Sequence, residues 1–551
     1  MKVLLLYPKT PDSFWSFKNV SRLEGHKTLL PPLGLITVAA LLPATWYFRL
    51  VDLNTRELSQ EDWLWADLAM ISGMIIQKPG VLALVREAKC RGKPVAVGGP
   101  YATSLPHEVL EAGADFLILG ECESTLPLFL QALAEGKKSG VIQEEAKPDM
   151  ALSPVPRFDL VNLPDYSVLS LQTSRGCPYD CEFCDVVNLF GRKPRYKKPS
   201  QVIAELESIY RLGFKGAVFI SDDNFIGNQD HASAILSLLI PWMKSHDEPF
   251  CYWTQASVNL GQNLEMMDLL TAANFSTIFI GVESPDEELL KLNRKYQNIR
   301  NPAAQAIANI TANGLTPMAS FIIGFDQETP GAGDRICEFV ENHNIPLVMM
   351  NTLHIMPNTS LWERLQRQGR LREAEVPSDM NLLDGLNYLP DRPEAEILAE
   401  YVRAVDRLYE PSRYLSRLYR HILAMRPTRR QLKIKEGKEK LPRENRQIPL
   451  RSQLRDLLIL IKLCWRQGVL AAHRRQFWWQ IWDLYWQNPS RLKRYLINCF
   501  FGENFFWVRR EVLRLAASQG IKPAPSGCGR TSGRCGADLL PGESGPASPG
   551  R

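Results

Sequence analysis

The sequence predicts an α/β chain: a doubly wound, Rossmann-like amino-terminal domain, a partial (β/α)6 barrel, a helical carboxyl-terminal extension and a disordered tail. Three observations predict it. Short apolar runs alternate with segments of helical spacing across residues 1–140, and do so again across 166–395. A Pro-, Lys- and Asp-rich stretch, 141–165, separates the two series and reads as a linker. From residue 396 to 519 the clearest apolar spacing is helical, and 520–551 is too rich in Gly, Pro and Ser to bury a core.

In the first series, "KVLLLYP" (2–8), "FRLVDL" (48–53), "LAMISG" (68–73), "PVAVGG" (94–99) and "DFLILGE" (115–121) are continuous apolar runs, the pattern of parallel strands buried on both faces. "LGLITVAALLP", "VLALVREAKCRG" and "STLPLFLQALAEG" between and after them have helical spacing. A sheet wound this way binds ligands beyond the carboxyl ends of its strands. Gly98 and Gly99 end one such strand, where glycine either admits a ligand close to the backbone or simply turns the chain.

The second series has six strand candidates: "SVLSLQTS" (167–174), "GAVFISDD" (216–223), "FCYWTQAS" (250–257), "STIFIGVES" (276–284), "PMASFIIGF" (317–325) and "PLVMMNTLHIM" (346–356). Each of the first five precedes a helical segment, which suits a partial barrel with its site at the strands' carboxyl ends. Just after the first of these strands comes "TSRGCPYDCEFCDVV", with Cys177, Cys181 and Cys184.

The chain has 11 cysteines, an odd number that does not read as a disulfide framework. Three clustered thiolates bind a soft or borderline metal and leave one position open for chemistry. A zinc knuckle completed by Asp185 or a remote histidine is the structural alternative. The pair Cys528 and Cys535 in the tail reads as exposed thiols.

Cys177-Pro-Tyr-Asp-Cys181-Glu-Phe-Cys184 resembles the CxxxCxxC motif of radical S-adenosylmethionine enzymes. The resemblance implies a [4Fe-4S] cluster on the three cysteines, with S-adenosylmethionine on the open iron as source of a 5′-deoxyadenosyl radical. It implies further that Ser221, Asp222 and Asp223 cradle the methionine ammonium; the alternative is a polar strand end capping the next helix. By the same resemblance Glu283 sits near the ribose, Phe183 packs beside the adenine, and Gly324 admits the cofactor to the backbone. An electron donor such as flavodoxin or ferredoxin is implied as partner.

Residues 1–365 resemble the cobalamin-binding branch of that superfamily, through "PPLGLITVAALLP", "VDLN", "VAVGGPYATSLPHEVLEAGADFLILGECEST" and "MPNTSLWERL". In this branch the first domain holds cobalamin against the barrel and the reaction is methyl transfer to carbon. The Asp-x-His-x-x-Gly motif that supplies a histidine to cobalt in other cobalamin proteins is absent, and no His lies between His26 and His107. The extension resembles the uncharacterised domain of a group that includes methylases of hopanoid lipids, so a small-molecule or lipid substrate is expected. A cyclase, rearrangement enzyme or oxidoreductase without methyl transfer is the first rival, and a non-catalytic iron–sulfur redox sensor the second.

Charge is divided unevenly. Residues 1–410 hold 37 Lys+Arg against 51 Asp+Glu, a net of −14; residues 411–515 hold 24 against 7, a net of +17. Six of the 13 tryptophans also fall in 411–515. Basic helices carrying Trp suit a membrane interface or a packed domain with a solvated face. No RNA-binding motif accompanies the charge, so nucleic acid is not expected. No run of ~18 apolar residues spans a membrane, and the Met1 end lacks signal-peptide features. The expected location is cytoplasmic, with peripheral contact at the inner membrane surface.

Overall fold

The computed structural model describes residues 1–372, 383, 385–436 and 450–521. The tail with Cys528 and Cys535 lies outside them, as do residues 437–449 of the basic stretch.

Strands β1 (Lys2–Tyr7), β2 (Tyr47–Asp52), β3 (Leu68–Ser72), β4 (Val95–Gly98) and β5 (Phe116–Leu119) form where the apolar runs place them. They join one parallel sheet in the order β2-β1-β3-β4-β5, completed by β6 (Gly140–Gln143). Alternation within β1 explains the layers. Leu4 and Leu6 enter a core with Val81, Val85 and Ala88 of the helix Lys78–Cys90. Val3 and Leu5 enter another with Leu35, Leu126 and Phe129 of the helices Leu33–Leu41 and Cys122–Ala134. Both faces are covered, as a parallel sheet requires. The apolar pattern does not predict β6: "GVIQ" is a four-residue edge strand with alternate residues exposed, set among Lys and Glu, so it carries no buried apolar run. The stretch read as a linker therefore opens inside the sheet.

The second sheet contains β7 (Val168–Leu171), β10 (Gly216–Ile220), β11 (Phe250–Gln255), β12 (Phe275–Glu283), β13 (Thr316–Ile323) and β14 (Leu347–Thr352). They run parallel in that order, and a short antiparallel pair, β8 (Ser174–Arg175) with β9 (Arg195–Tyr196), frames the cysteine loop. The sheet stops at six strands, leaving two edges that need partners. At β7, Val168 N donates to Leu29 O (3.0 Å), and Thr28 bridges to Tyr166. At β14, the Tyr409 hydroxyl donates to Val348 O (2.8 Å) and accepts from Met350 N (3.3 Å).

Tyr409 follows the helix Glu394–Leu408, the start of the extension. Its last helix, Leu492–Ser518, packs against the loop after β1: Phe14 lies 5.1 Å from Phe505 between ring centroids, and Asn504 Nδ2 donates to Phe14 O (3.0 Å). Arg494 donates to Ser276 O (2.6 Å) and Arg491 to Gly314 O (3.4 Å), beside the starts of β12 and β13. The extension thus closes the amino-terminal end of these strands. Their carboxyl ends are left to face the first domain.

Candidate active site

The cysteine loop turns at Gly176, whose φ of +94 favours glycine and whose Cβ would lie 2.8 Å from Gly191 O. Cys177 N donates to Gly191 O (3.3 Å). Glu182, between the second and third cysteines, takes Arg364 in a two-pronged ion pair (Nε 2.8 Å, Nη2 3.0 Å), fixing the loop to the helix Ser360–Arg367. Burial pushes the Cys177 thiol up to about 11, and Cys181 adds to the rise; burial raises Cys184 as well, with Cys181 and Cys177 contributing. Two partly buried thiols held in their neutral form beside a third are a site that a cationic cluster would stabilise. Among the described residues no three His, Cys, Asp or Glu side chains gather at single-ion spacing.

Around this loop stands an ordered polar set. Glu283, at the end of β12, has φ +65 beside a register shift in the β12–β13 pairing. Its carboxylate accepts from Lys295 Nζ and from Ser320 Oγ (3.0 Å). Gly281 makes room: a Cβ there would come within 2.2 Å of Glu283 Oε1. Burial opposes the Lys295 charge, but Glu283 and then Cys181 outweigh it and raise its pKa. The Lys295 ammonium also lies 5.7 Å from the Phe183 ring centre, and Phe183 packs on Phe325 (5.6 Å).

The three residues of the expected ammonium cradle separate in role. Asp222 is fully buried and accepts from Thr173 N (2.6 Å), Thr173 Oγ1 (2.5 Å), Ser174 N (3.1 Å) and Ser174 Oγ (2.8 Å). Both its oxygens are engaged in pinning the chain after β7 to the end of β10. Ser221 donates its hydroxyl to Leu171 O (3.2 Å). Asp223 accepts from Gly176 N (3.1 Å), and burial pushes its carboxyl up to about 7. Gly324 has φ +108, and its N–H and carbonyl are bonded to Glu328 and Tyr388.

A cavity of about 450 Å3 lies between the carboxyl ends of the two sheets. Gly98, Gly99, Gly73 and Gly120 line it from the first domain; Ser170, Arg175, Phe219 and Ser221 line it from the barrel. Gly99 has φ +89, and a Cβ on it would lie 2.3 Å from Ser72 Oγ. A wall mostly of backbone and small or apolar side chains, with Glu121, Gln172 and Arg175 at its polar side, fits a broad, flat ligand lying on the strand ends. Its lining contains no histidine, in keeping with the missing Asp-x-His motif.

Sequence reasoning misses the clasp beside this cavity. Arg175 ion-pairs with Glu121 (2.8 Å) and Glu123 (2.8 Å), and Arg195 reaches Glu121 (2.6 Å). These bonds tie the end of β5 to the cysteine loop. "LGECE" marks a strand end, but nothing local in it names arginines so distant in the chain. Lys295 and Ser320 escape sequence reasoning for the same reason.

Three family models match: the B12 binding domain over residues 26–130, the radical SAM superfamily over 171–340, and a domain of unknown function (DUF4070) over 359–517. An uncharacterized methyltransferase of Synechocystis sp. is 45% identical, covering 93% of both chains. The hopanoid C-2 methylase of Rhodopseudomonas palustris is 32% identical over 87% of this chain and 88% of its own.

The chain belongs to the radical S-adenosylmethionine methyltransferases that carry a B12-binding domain. The fold agrees: the cobalamin-dependent radical enzyme OxsB superposes with a TM-score of 0.57 at 16% identity, covering 94% of this chain and 80% of that one. The methyltransferase TsrM from Kitasatospora setae gives 0.53 at 18% identity, covering 68% and 77%. As a member of this family, the enzyme takes S-adenosylmethionine, a [4Fe-4S] cluster and cobalamin as cofactors.

Proposed function

We propose that this methyltransferase methylates carbon on a hydrophobic, hopanoid-like lipid in the cavity between the two sheets. The observation that carries the reading is the wall of that cavity. Phe219 lines it and stacks on Trp253 (3.9 Å, 21°). Elsewhere in the barrel Trp15, reaching over from the first domain, packs on Phe279 (5.3 Å) of β12, the strand that ends at Glu283. Aromatic walls take apolar substrate surface and exclude water from a radical. The hopanoid C-2 methylase among the relatives supports the same substrate class.

In this proposal Cys177, Cys181 and Cys184 hold the cluster, and Gly98 and Gly99 face cobalamin. Asp223 keeps an acceptor for the methionine ammonium, while Asp222 acts behind it by positioning the loop through Thr173 and Ser174. Glu283, held by Lys295 and Ser320, orients the ribose; Phe183 borders the adenine, and Gly324, expected to admit the cofactor, instead has its N–H and carbonyl taken by Glu328 and Tyr388. When bound, these cofactors supply a hydrogen-abstracting adenosyl radical and a transferable methyl group. A flavodoxin or ferredoxin delivers the electron.

The test is anaerobic turnover with methyl-labelled S-adenosylmethionine and a hopanoid-containing lipid extract. The proposal expects label in an organic-soluble product. Formation of 5′-deoxyadenosine with no labelled product would overturn it in favour of radical chemistry on another substrate or without methyl transfer.

A further inference from the structure

The helix Arg474–Gln487 is amphipathic in an inverted sense. Its inward face carries Phe477, Gln480 and Leu484, with Gln480 bonded to the Tyr495 hydroxyl (2.8 Å). Its outward face carries Trp478, Trp479, Trp482, Tyr485 and Trp486, with Trp482 65% and Trp486 67% exposed. The preceding helix, Leu450–Trp465, exposes Leu457, Leu458, Ile461 and Trp465, and the turn after it exposes Leu470. Trp478 joins the two elements by donating to Gly468 O (2.8 Å). Scattered exposed apolar residues are ordinary, but a run of this size on consecutive helices marks a contact surface.

The charges beside it select the partner. From Leu457 to Gln487 there are four basic residues, Lys462, Arg466, Arg474 and Arg475, against one acidic residue, Asp483, and of the four Arg466 is paired with Glu503 (2.7 Å). Lys462, Arg474, Arg475 and the nearby Lys493 are all exposed. Asp483 is occupied with the Tyr419 hydroxyl and Gln487 (2.6 Å). Tryptophan and tyrosine rings prefer the headgroup level of a bilayer, and basic side chains add attraction to anionic lipid. No described helix is long and apolar enough to cross a membrane, so this face would lie on the surface.

We infer that the outward face of residues 457–487 docks the enzyme on an anionic lipid bilayer, with the tryptophans at headgroup depth and the basic residues against lipid phosphates. Docking is independent of the proposed substrate and is read without turnover.

The test floats the full-length reconstituted enzyme with vesicles of equimolar phosphatidylglycerol and phosphatidylcholine, then with phosphatidylcholine alone. Docking predicts binding to the anionic vesicles at low salt, weakening at high salt, with a blue shift of tryptophan emission. Replacing both exposed rings (Trp482→Ser with Trp486→Ser) lowers the partition coefficient by about tenfold or more, with iron content and helicity unchanged. Arg474→Glu with Arg475→Glu leaves the rings in place and weakens binding only to anionic vesicles. The inference is overturned if wild-type protein stays unbound at low salt, or if both pairs of substitutions leave binding intact. It is also overturned if sedimentation shows a dimer that the Trp482→Ser, Trp486→Ser variant dissolves, since a second copy would then cover the face.

Discussion

Replacing Glu123 by glutamine tests how the first domain is tied to the cysteine loop. Burial would raise the Glu123 carboxyl above its usual 4.5, but the hydrogen bonds and charge of Arg175 overcome it and hold the group at about 2. A carboxyl bound that much more tightly as its anion contributes about 3 kcal/mol at neutral pH, because each pKa unit is worth about 1.4 kcal/mol. The side chain is shielded from water, so little of this is lost to screening. Glu123→Gln keeps the shape and removes the charge. Native-state hydrogen exchange over residues 173–197 reads the clasp locally, and the amides there should exchange roughly a hundredfold faster at neutral pH or above. The pH dependence has a definite sign. A carboxyl whose pKa is lowered by folding stabilises the protein above its unfolded value and loses that stabilisation as pH falls through the folded one. Wild type and variant should therefore converge between pH 4.5 and about 2. Equal exchange rates at neutral pH, or a difference that does not shrink in acid, would refute the clasp.

Three further outcomes follow from the same geometry. In the proposed site Cys181→Ala removes one of three cluster ligands, so reconstituted iron should fall sharply and 5′-deoxyadenosine formation should stop while the far-ultraviolet spectrum holds. Gly99→Ala places a Cβ 2.3 Å from Ser72 Oγ at a φ of +89, costing about 1–3 kcal/mol in thermal or chemical denaturation and weakening cobalamin retention with iron unaffected. Tyr409→Phe strips the hydroxyl that serves Val348 O and Met350 N on the open edge of β14, and should cost about 1–3 kcal/mol in the same denaturation assay.

What the sequence discloses is what local pattern controls. Leu4 and Leu6 against Val3 and Leu5 show a strand buried on both faces, and the same reasoning locates eleven of the twelve strands of the two large sheets. The twelfth, β6, exposes Val141 on an edge and leaves no such trace. Cys177, Cys181 and Cys184 stand out as a candidate site because all three fall within one short loop. The remainder of the site depends on partners distant in the chain. Asp222 looks equivalent to Asp223 in "SDDNF", yet one is consumed by Thr173 and Ser174 and the other is not. Glu283 is fixed by Lys295 and Ser320 from separate elements, and its left-handed backbone has no sequence signal beyond the nearby Gly281. The basic, Trp-rich stretch is visible in the sequence, but only the fold reveals that its rings point outward.

The proposed reaction needs both an iron–sulfur cluster and cobalamin, and metal content reads both at once. The enzyme is reconstituted anaerobically with iron, sulfide and hydroxocobalamin, desalted, and counted for iron and cobalt per chain. About four irons and about one cobalt are predicted, with Gly99→Ala losing cobalt and Cys181→Ala losing iron. Iron at that level with no retained cobalt would contradict a reaction that depends on cobalamin in this cavity.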